Sequence, residues 1–186
     1  GAWGSGTRLS LGRRQLRSCL SVGHDDCIHG LRPEQCRLHG GPVEKPINVY
    51  LIGSLRNPKV TTVAAELRNA GYTVFDDWMA AGPEADDYWM TYEQQRGHTL
   101  AEAIKGHAAQ HVFHFDKRHL EAADAVVLAL PAGRSGHLEL GWALGRGKRG
   151  YILLDKEPER FDVMYAFADG VYTDLKSLMY DIGARR

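Results

Sequence analysis

The chain has no long hydrophobic run and no excess of charge of either sign, and these two absences exclude several classes of protein. None of its apolar stretches approaches the roughly 18–20 residues that span a bilayer. Lysine plus arginine and aspartate plus glutamate each number 23 in 186 residues, so the formal net charge is zero. Because a neutral chain offers no bulk attraction to a nucleic acid or an anionic membrane surface, we expect neither partner.

Cysteine is also scarce, with three residues that all lie before residue 37. An odd, small number argues against a disulfide framework, so we expect a reducing, cytoplasmic location. Arg13, Arg14 and Arg17 are not followed by an apolar segment, which argues against a secretory signal. A hydrophobic content of 44% predicts an ordinary globular domain, and the length allows one domain with an extension.

The three cysteines lie in residues 1–45, which we interpret as a flexible arm that carries a small Cys/His-rich segment. Its closest pairs are Cys27-x-His29 and Cys36-x-x-His39. Two close Cys/His pairs separated by a short loop suit tetrahedral zinc. Because a segment this poor in apolar residues cannot form its own core, a metal would supply its folding energy. The sequence therefore predicts a structural zinc site, and the alternative is an unstructured polar arm.

Residues 46–186 alternate between strand and helix patterns, which predicts an α/β domain with a parallel sheet between two helical layers. Strands are predicted at 47–52, 72–75, 125–130, 150–154 and 170–172, and helices at 60–70, 99–122, from 135, 164–167 and 174–180. Residues 77–98 are predicted to form a long irregular loop. Because that loop is rich in aromatic residues, we expect it to be ordered and close to a functional site.

The stretch 123–143 predicts a buried strand, a tight turn and a helix. Residues 125–130 are a continuous apolar run, as in a strand that is covered on both faces. The turn that follows contains Gly133, and Ser135 suits a helix N-cap. Glu139 comes shortly after the helix begins, which places a carboxylate at the edge of the sheet where ligands bind in open α/β folds. The helix N-terminus also offers free N–H groups to an anion.

Further acidic and aromatic side chains are predicted near the same edge. Asp76, Asp77 and Asp116 lie at predicted strand ends or in adjoining segments. One carboxylate can attack an anomeric carbon while a second carboxyl group handles the proton of the leaving group. Trp78 and Trp89 could stack on a planar base, and the alternative is that they pack the loop. The chain has no Walker loop, G-x-G-x-x-G motif or nucleophile elbow, and we expect no cofactor for catalysis.

These motifs resemble those of the nucleoside 2-deoxyribosyltransferase family over about residues 47–180. The resemblance lies in Tyr50-Leu51-Ile52-Gly53, in Asp116 with Asp124, and in Ser135-Gly136-His137-Leu138-Glu139-Leu140-Gly141-Trp142-Ala143. It implies a flavodoxin-like fold and an enzyme that transfers or hydrolyses at the N-glycosidic bond. It implies Glu139 as the nucleophile on the sugar C1′, Asp116 as the acid/base group near the departing base, and Tyr50 as a residue that positions Glu139. It also implies a homo-oligomer, because active sites in this family are often completed by a neighbour.

Two departures from the family pattern bear on the substrate. The family often carries an aspartate between strand and helix that reads a sugar hydroxyl, whereas this chain has Gly133-Arg134-Ser135, which suits a phosphate. The loop Gly53-Ser54-Leu55-Arg56 resembles that of nucleoside 5′-monophosphate N-glycosidases, which use water as the acceptor. A non-catalytic nucleotide-binding sensor module is the alternative of another class. The predicted substrate-binding residues are Gly53, Ser54, Arg56, Asp76, Asp77, Trp78, Trp89, Arg134, Ser135 and Gly136.

Overall fold

Five parallel strands form one sheet in the computed structural model, which describes residues 45–184. The strands are β1 (Asn48–Ile52), β2 (Thr73–Phe75), β3 (Ala125–Ala129), β4 (Arg149–Leu153) and β5 (Gly170–Tyr172). Their order across the sheet is β2-β1-β3-β4-β5, and every neighbouring pair is parallel. This is the strand order of flavodoxin-like folds, so the predicted fold class is confirmed.

Helices connect the strands and cover both faces of the sheet. They are α1 (Lys59–Asn69), α2 (Ala85–Gln95), α3 (Leu100–Ala103), α4 (His107–Ala122), α5 (Arg134–Gly145) and α6 (Leu175–Ala184), with short 3-10 helices at Asp77–Ala81 and Val163–Phe167. In α1, Val60, Ala64 and Leu67 are buried, and their spacing of four and three residues gives the helix one apolar face. None of the helices found between residues 45 and 184 is both long and apolar enough to cross a membrane.

The alternation of side chains along β1 divides the interior into two cores. Val49 and Leu51 pack on one face of the sheet with residues of α1 and α6. Tyr50 and Ile52 pack on the other face with residues of α4 and α5. All five residues of β3 are buried, as its continuous apolar sequence predicts. Tyr50 therefore lies on the same face as α4 and α5.

The segment between β2 and β3 differs from the sequence-based expectation in two respects. Residues 77–98, predicted to be irregular, contain a 3-10 helix and α2. Only Glu93 of α2 is buried, so the helix lacks the apolar stripe that would reveal it in the sequence. The predicted helix 99–122 is divided into α3 and α4, and Gly106 is the N-cap of α4. Thr99 is the N-cap of α3, as predicted, and its N–H donates to the Glu102 carboxylate at 2.9 Å.

The turn after β3 also differs in one detail, because the N-cap of α5 lies two residues before Ser135, the N-cap that the sequence suggests. Its N-cap is Gly133 and its first residue is Arg134, so Ser135 lies in the first turn rather than at the cap. The division of the chain into an arm and a domain near residue 45 stays a prediction.

Candidate active site

A crevice opens at the carboxyl edge of the sheet, between β1 and β3. In the sheet, β2 lies on one side of β1 and β3 lies on the other. The connections that follow β1 and β3 therefore leave on opposite faces of the sheet. Ligands in open α/β sheets bind at such a switch point. A cavity of about 630 Å³ lies here. The predicted site residues that line it are Tyr50, Gly53, Ser54, Arg56, Trp78, Trp89, Asp116, Ser135 and Glu139.

The three residues predicted to be catalytic come from three different elements. Tyr50 points from β1 toward the layer formed by α4 and α5. Asp116 lies one turn before the buried Leu120 of α4, so both side chains are on the side of the helix that faces the sheet. Glu139 lies one turn after the buried Gly136 of α5. These placements bring all three side chains to one cavity.

Burial and mutual charge alter the acidity of these three groups. Burial, and then the charge of Asp116, raises the pKa of Glu139 from 4.5 to about 7. Burial raises the pKa of Asp116, and the charge of His119 opposes that rise. Burial raises the pKa of Tyr50 further above its usual value, and the charges of Glu139 and Asp116 add to this effect. Two neighbouring carboxyl groups of this kind can supply one acid and one carboxylate near neutral pH, beside a neutral phenol.

Two polar atoms of the cavity residues are buried without a hydrogen-bond partner in the described part of the chain. They are Oδ1 of Asp116 and Nε1 of Trp89. Such atoms are uncommon in folded proteins, because burying an unpaired polar group costs free energy. Their presence around one cavity is typical of a site that receives a ligand.

The aromatic wall of the cavity is held by the backbone of β1. Nε1 of Trp78 donates to the carbonyl of Leu51 at 2.9 Å, which fixes the ring over Gly53. A Cβ atom at residue 53 would lie 3.3 Å from the Trp78 ring and 2.6 Å from Cγ2 of Val60. Glycine is therefore required for this close approach.

Sequence reasoning missed Asn57, which joins the two loops on either side of the crevice. It is only 2% exposed, and its Nδ2 donates to the carbonyls of Ala129 at 3.4 Å and Pro131 at 3.2 Å. Its Oδ1 accepts from the N–H of Lys59 at 3.0 Å. The dipeptide Asn57-Pro58 indicates a turn. The carbonyls that accept from the side chain are more than 70 residues away, so no local signal identifies them.

Arg56 lines the cavity, but its guanidinium is already engaged. Its Nη2 lies 2.5 Å from Oδ2 of Asp87 at the start of α2, in an exposed ion pair. Asp76 is held in an ion pair by Arg68, and Asp77 is exposed in the first turn of a 3-10 helix. Neither Asp76 nor Asp77 lines the cavity.

Arg134 and Gly136 are the other predicted binding residues that do not line the cavity. Arg134 is exposed at the first position of α5. Gly136 lets the helix approach the sheet, because a Cβ there would lie 3.0 Å from Ile52 and 3.1 Å from Leu128. Gly136 thus brings α5, and with it Glu139, close to β1 and β3.

The predicted zinc ligands Cys27, His29, Cys36 and His39 lie outside the described residues. Between residues 45 and 184, no group of three or more His, Cys, Asp or Glu side chains is arranged to hold a metal ion.

Comparison with known proteins finds similar folds only among solved structures, since no family model and no curated protein matches the chain. The chain is similar to a 2-deoxyribosyltransferase from Bacillus psychrosaccharolyticus, with 19% identity, 71% of this chain and 90% of that chain covered, and a TM-score of 0.48. It is also similar to the CMP N-glycosidase BcmB of Clostridium botulinum, with 14% identity, 73% and 98% covered, and a TM-score of 0.43. Both are enzymes of the kinds that the sequence resemblance names. At these identities and TM-scores, the residues of the cavity carry the argument for function.

Proposed function

We propose that this protein is an enzyme that cleaves the N-glycosidic bond of a nucleoside or nucleotide, with Glu139 as the nucleophile. The observation that carries the proposal is the pair of partly buried carboxyl groups, Glu139 and Asp116, in one cavity beside Tyr50. Burial raises the pKa of both groups, so one can be ionised while the other holds a proton near neutral pH. Glycosidic bond cleavage through a covalent intermediate uses a pair of carboxyl groups in these two roles.

In the first step, the Glu139 carboxylate attacks C1′ of the sugar, and the bond from C1′ to the base nitrogen breaks. Asp116 gives its proton to the departing base, so the base leaves neutral. Tyr50 remains a neutral phenol, because burial raises its pKa, and its hydroxyl positions the Glu139 carboxylate.

In the second step, water or a second base attacks C1′ and releases Glu139, while Asp116 takes up the proton of the acceptor. Water gives hydrolysis and a base gives transfer. The indole rings of Trp78 and Trp89 supply apolar walls on which a base can stack.

Hydrolysis of a nucleoside 5′-monophosphate is the second candidate, and several polar groups that line the cavity favour it. Ser54 and Ser135 line the cavity, and Ser135 lies in the first turn of α5, where unpaired N–H groups attract an anion. Arg56 lines the same cavity and could exchange Asp87 for a phosphate, because an exposed ion pair contributes at most about 1 kcal/mol.

The test is incubation of the full chain with a panel of nucleosides and 5′-monophosphates, with and without a free acceptor base, followed by chromatography of the released base. We expect Glu139→Gln to lower base release by at least roughly a thousandfold, because it removes the nucleophile. Glu66→Gln on the exposed surface of α1 is the control and should match the wild type. Base release that survives Glu139→Gln would exclude Glu139 as the nucleophile. A wild type that binds nucleotides but releases no base would favour the sensor module.

The arm and the assembly are separate parts of the proposal. Cys27, His29, Cys36 and His39 are proposed to bind one zinc ion, supported by their spacing. Elemental analysis of the purified full chain should find this zinc, and metal-free protein would refute the site.

The family resemblance supports a homo-oligomer, which light scattering would detect. The scarcity of cysteine supports a cytoplasmic location.

A further inference from the structure

Asn57 lies where β1 and β3 stop pairing with each other at the carboxyl edge of the sheet. The last residues in register between the two strands are Ile52 and Leu128. Beyond that pair, the segments after β1 and β3 leave on opposite faces, so the backbone ladder between them ends there. Both segments contribute residues to the cavity, so their separation determines the width of the crevice.

The side-chain amide of Asn57 continues the connection between β1 and β3 past the end of the ladder. Its Nδ2 donates to the carbonyl of Ala129, the residue directly after the last pair, at 3.4 Å, and to the carbonyl of Pro131 at 3.2 Å. Asn57 is buried, and a hydrogen bond that is shielded from water is stronger than an exposed one. One side chain therefore holds the crevice together where the backbones no longer pair.

Asn57 is also held firmly within the loop after β1. Its backbone N–H donates to the carbonyl of Ser54 at 2.8 Å, and the N–H of Arg56 donates to the Ser54 hydroxyl at 3.2 Å. Its Oδ1 accepts from the N–H of Lys59, the first residue of α1, at 3.0 Å. Ser54 and Arg56 line the cavity, so the anchoring of Asn57 sets the position of both.

On the other side of the crevice, the turn after β3 brings Ser135 to the cavity. This turn begins at the two carbonyls that accept from Asn57, so the amide sets how far Ser135 lies from the loop after β1. The proposed nucleophile, Glu139, is placed by a different contact, because Gly136 lets α5 pack directly on β1 and β3. We therefore expect the position of Glu139 not to depend on Asn57.

We propose that Asn57 is a positioning residue that sets the width of the crevice, so that the loop after β1 and the turn after β3 bind one substrate molecule together. The inference rests on the proposed function, because that function supplies the substrate. Asn57 does not itself line the cavity, so it acts through the loops that it joins. Its loss should weaken substrate binding and leave the chemical step at Glu139 unchanged.

Two substitutions separate the link across the crevice from the contact with α1. Asn57→Ala removes both, whereas Asn57→Asp keeps an oxygen that accepts from Lys59 and replaces the donor by a second oxygen. With a nucleoside or 5′-monophosphate that the wild type cleaves, both variants should raise KM roughly tenfold, about the effect of one lost hydrogen bond. The kcat should stay within about twofold of the wild type, since binding and not the transition state is affected. If Asn57 served only the start of α1, Asn57→Asp would behave as the wild type.

Asn48→Ala is the matched control, because Asn48 makes the same kind of bond at the opposite edge of the sheet. Its Nδ2 donates at 3.2 Å to the carbonyl of Ala122, which is 74 residues away. Asn48 is the first residue of β1, whereas the cavity lies at the carboxyl ends of the strands. The control should lose stability without a change in KM. Thermal unfolding of every variant checks that it is folded at the temperature of the assay.

A second measurement does not depend on turnover. Isothermal titration calorimetry with the same compounds, in full chains that carry Glu139→Gln, should show an affinity that either substitution of Asn57 lowers roughly tenfold. A wild-type KM and affinity in Asn57→Asp, a fall in kcat alone, or an equal rise in KM in Asn48→Ala would overturn the inference and leave the proposed function intact.

The calorimetry also separates the inference from the proposed function. If the compounds bind but the wild type releases no base, the proposed function fails, and weaker binding by the Asn57 variants still supports the role of Asn57. If none of the nucleosides and 5′-monophosphates binds, both the proposed function and the inference are refuted.

Discussion

Replacing Glu139 by glutamine should stabilise the protein at alkaline pH, because the native fold buries a carboxylate there. Burial, and then the charge of Asp116, raises the folded-state pKa of Glu139 to about 7, whereas the ordinary value of 4.5 applies to the unfolded chain. Between these two values the folded state binds more protons than the unfolded state, so stability falls as the pH rises through this window. Above about pH 7 the loss is complete. A tenfold change in proton affinity corresponds to about 1.4 kcal/mol, so the full loss is about 3 kcal/mol.

The assay is denaturant-induced unfolding of the wild type and Glu139→Gln at several pH values. Near pH 4.5 the two proteins should have similar free energies of unfolding, since Glu139 is then protonated in the folded state. Near pH 8 the variant should be more stable by about 3 kcal/mol. The exposed Glu66→Gln control should show no such dependence on pH. Equal stability of wild type and Glu139→Gln near pH 8 would refute the conclusion that burial raises the pKa of this carboxyl group.

Two further substitutions test how the loops around the crevice are held. Asn57→Ala should lower the free energy of unfolding by roughly 1–3 kcal/mol, because the carbonyls of Ala129 and Pro131 lose a buried donor. Urea unfolding measures this free energy, and a variant as stable as the wild type would contradict the prediction. Gly53→Ala should lower the free energy of unfolding by roughly 1–3 kcal/mol, as measured by thermal unfolding, because the added Cβ overlaps Val60. It should also alter the near-UV circular dichroism of Trp78. The matched control is Gly141→Ala in α5, where no atom lies within 4 Å of the added Cβ; an equal loss there would show that the Gly53 effect is not steric.

Local patterns in the sequence predict most of the fold, because burial on a sheet imposes a regular spacing. The unbroken apolar run of β3 predicts a strand that is covered on both faces, and the structure buries all five of its residues. The helix predicted at 60–70 is α1, and the residues that it buries are Val60, Ala64 and Leu67. Helix α2 escapes such reasoning because only Glu93 among its residues is buried, so its sequence carries no apolar stripe.

Only part of the chemistry of the candidate site can be predicted from residues that are close together in the sequence. Glu139 can be singled out from the sequence, since a carboxylate soon after a strand–turn–helix junction lies at the ligand-binding edge of the sheet. The engagement of Arg56 by Asp87 has no such local sign, because α2 brings Asp87 to the loop after β1. The Arg56 guanidinium, which the sequence suggests as a phosphate-binding group, is therefore already paired with Asp87 in the fold.

The sequence by itself determined the order of the five strands, most of the helices and the identity of the acidic side chains, because these follow from residue types at short spacing. Only the tertiary structure decided that Asp116 and Glu139 share a cavity with Tyr50, and that His119 stacks on Phe75 beside them. It also decided how acidic these groups are. Burial and the charges of neighbours depend on segments that are far apart in the chain, and these are what raise the pKa of Glu139 to about 7.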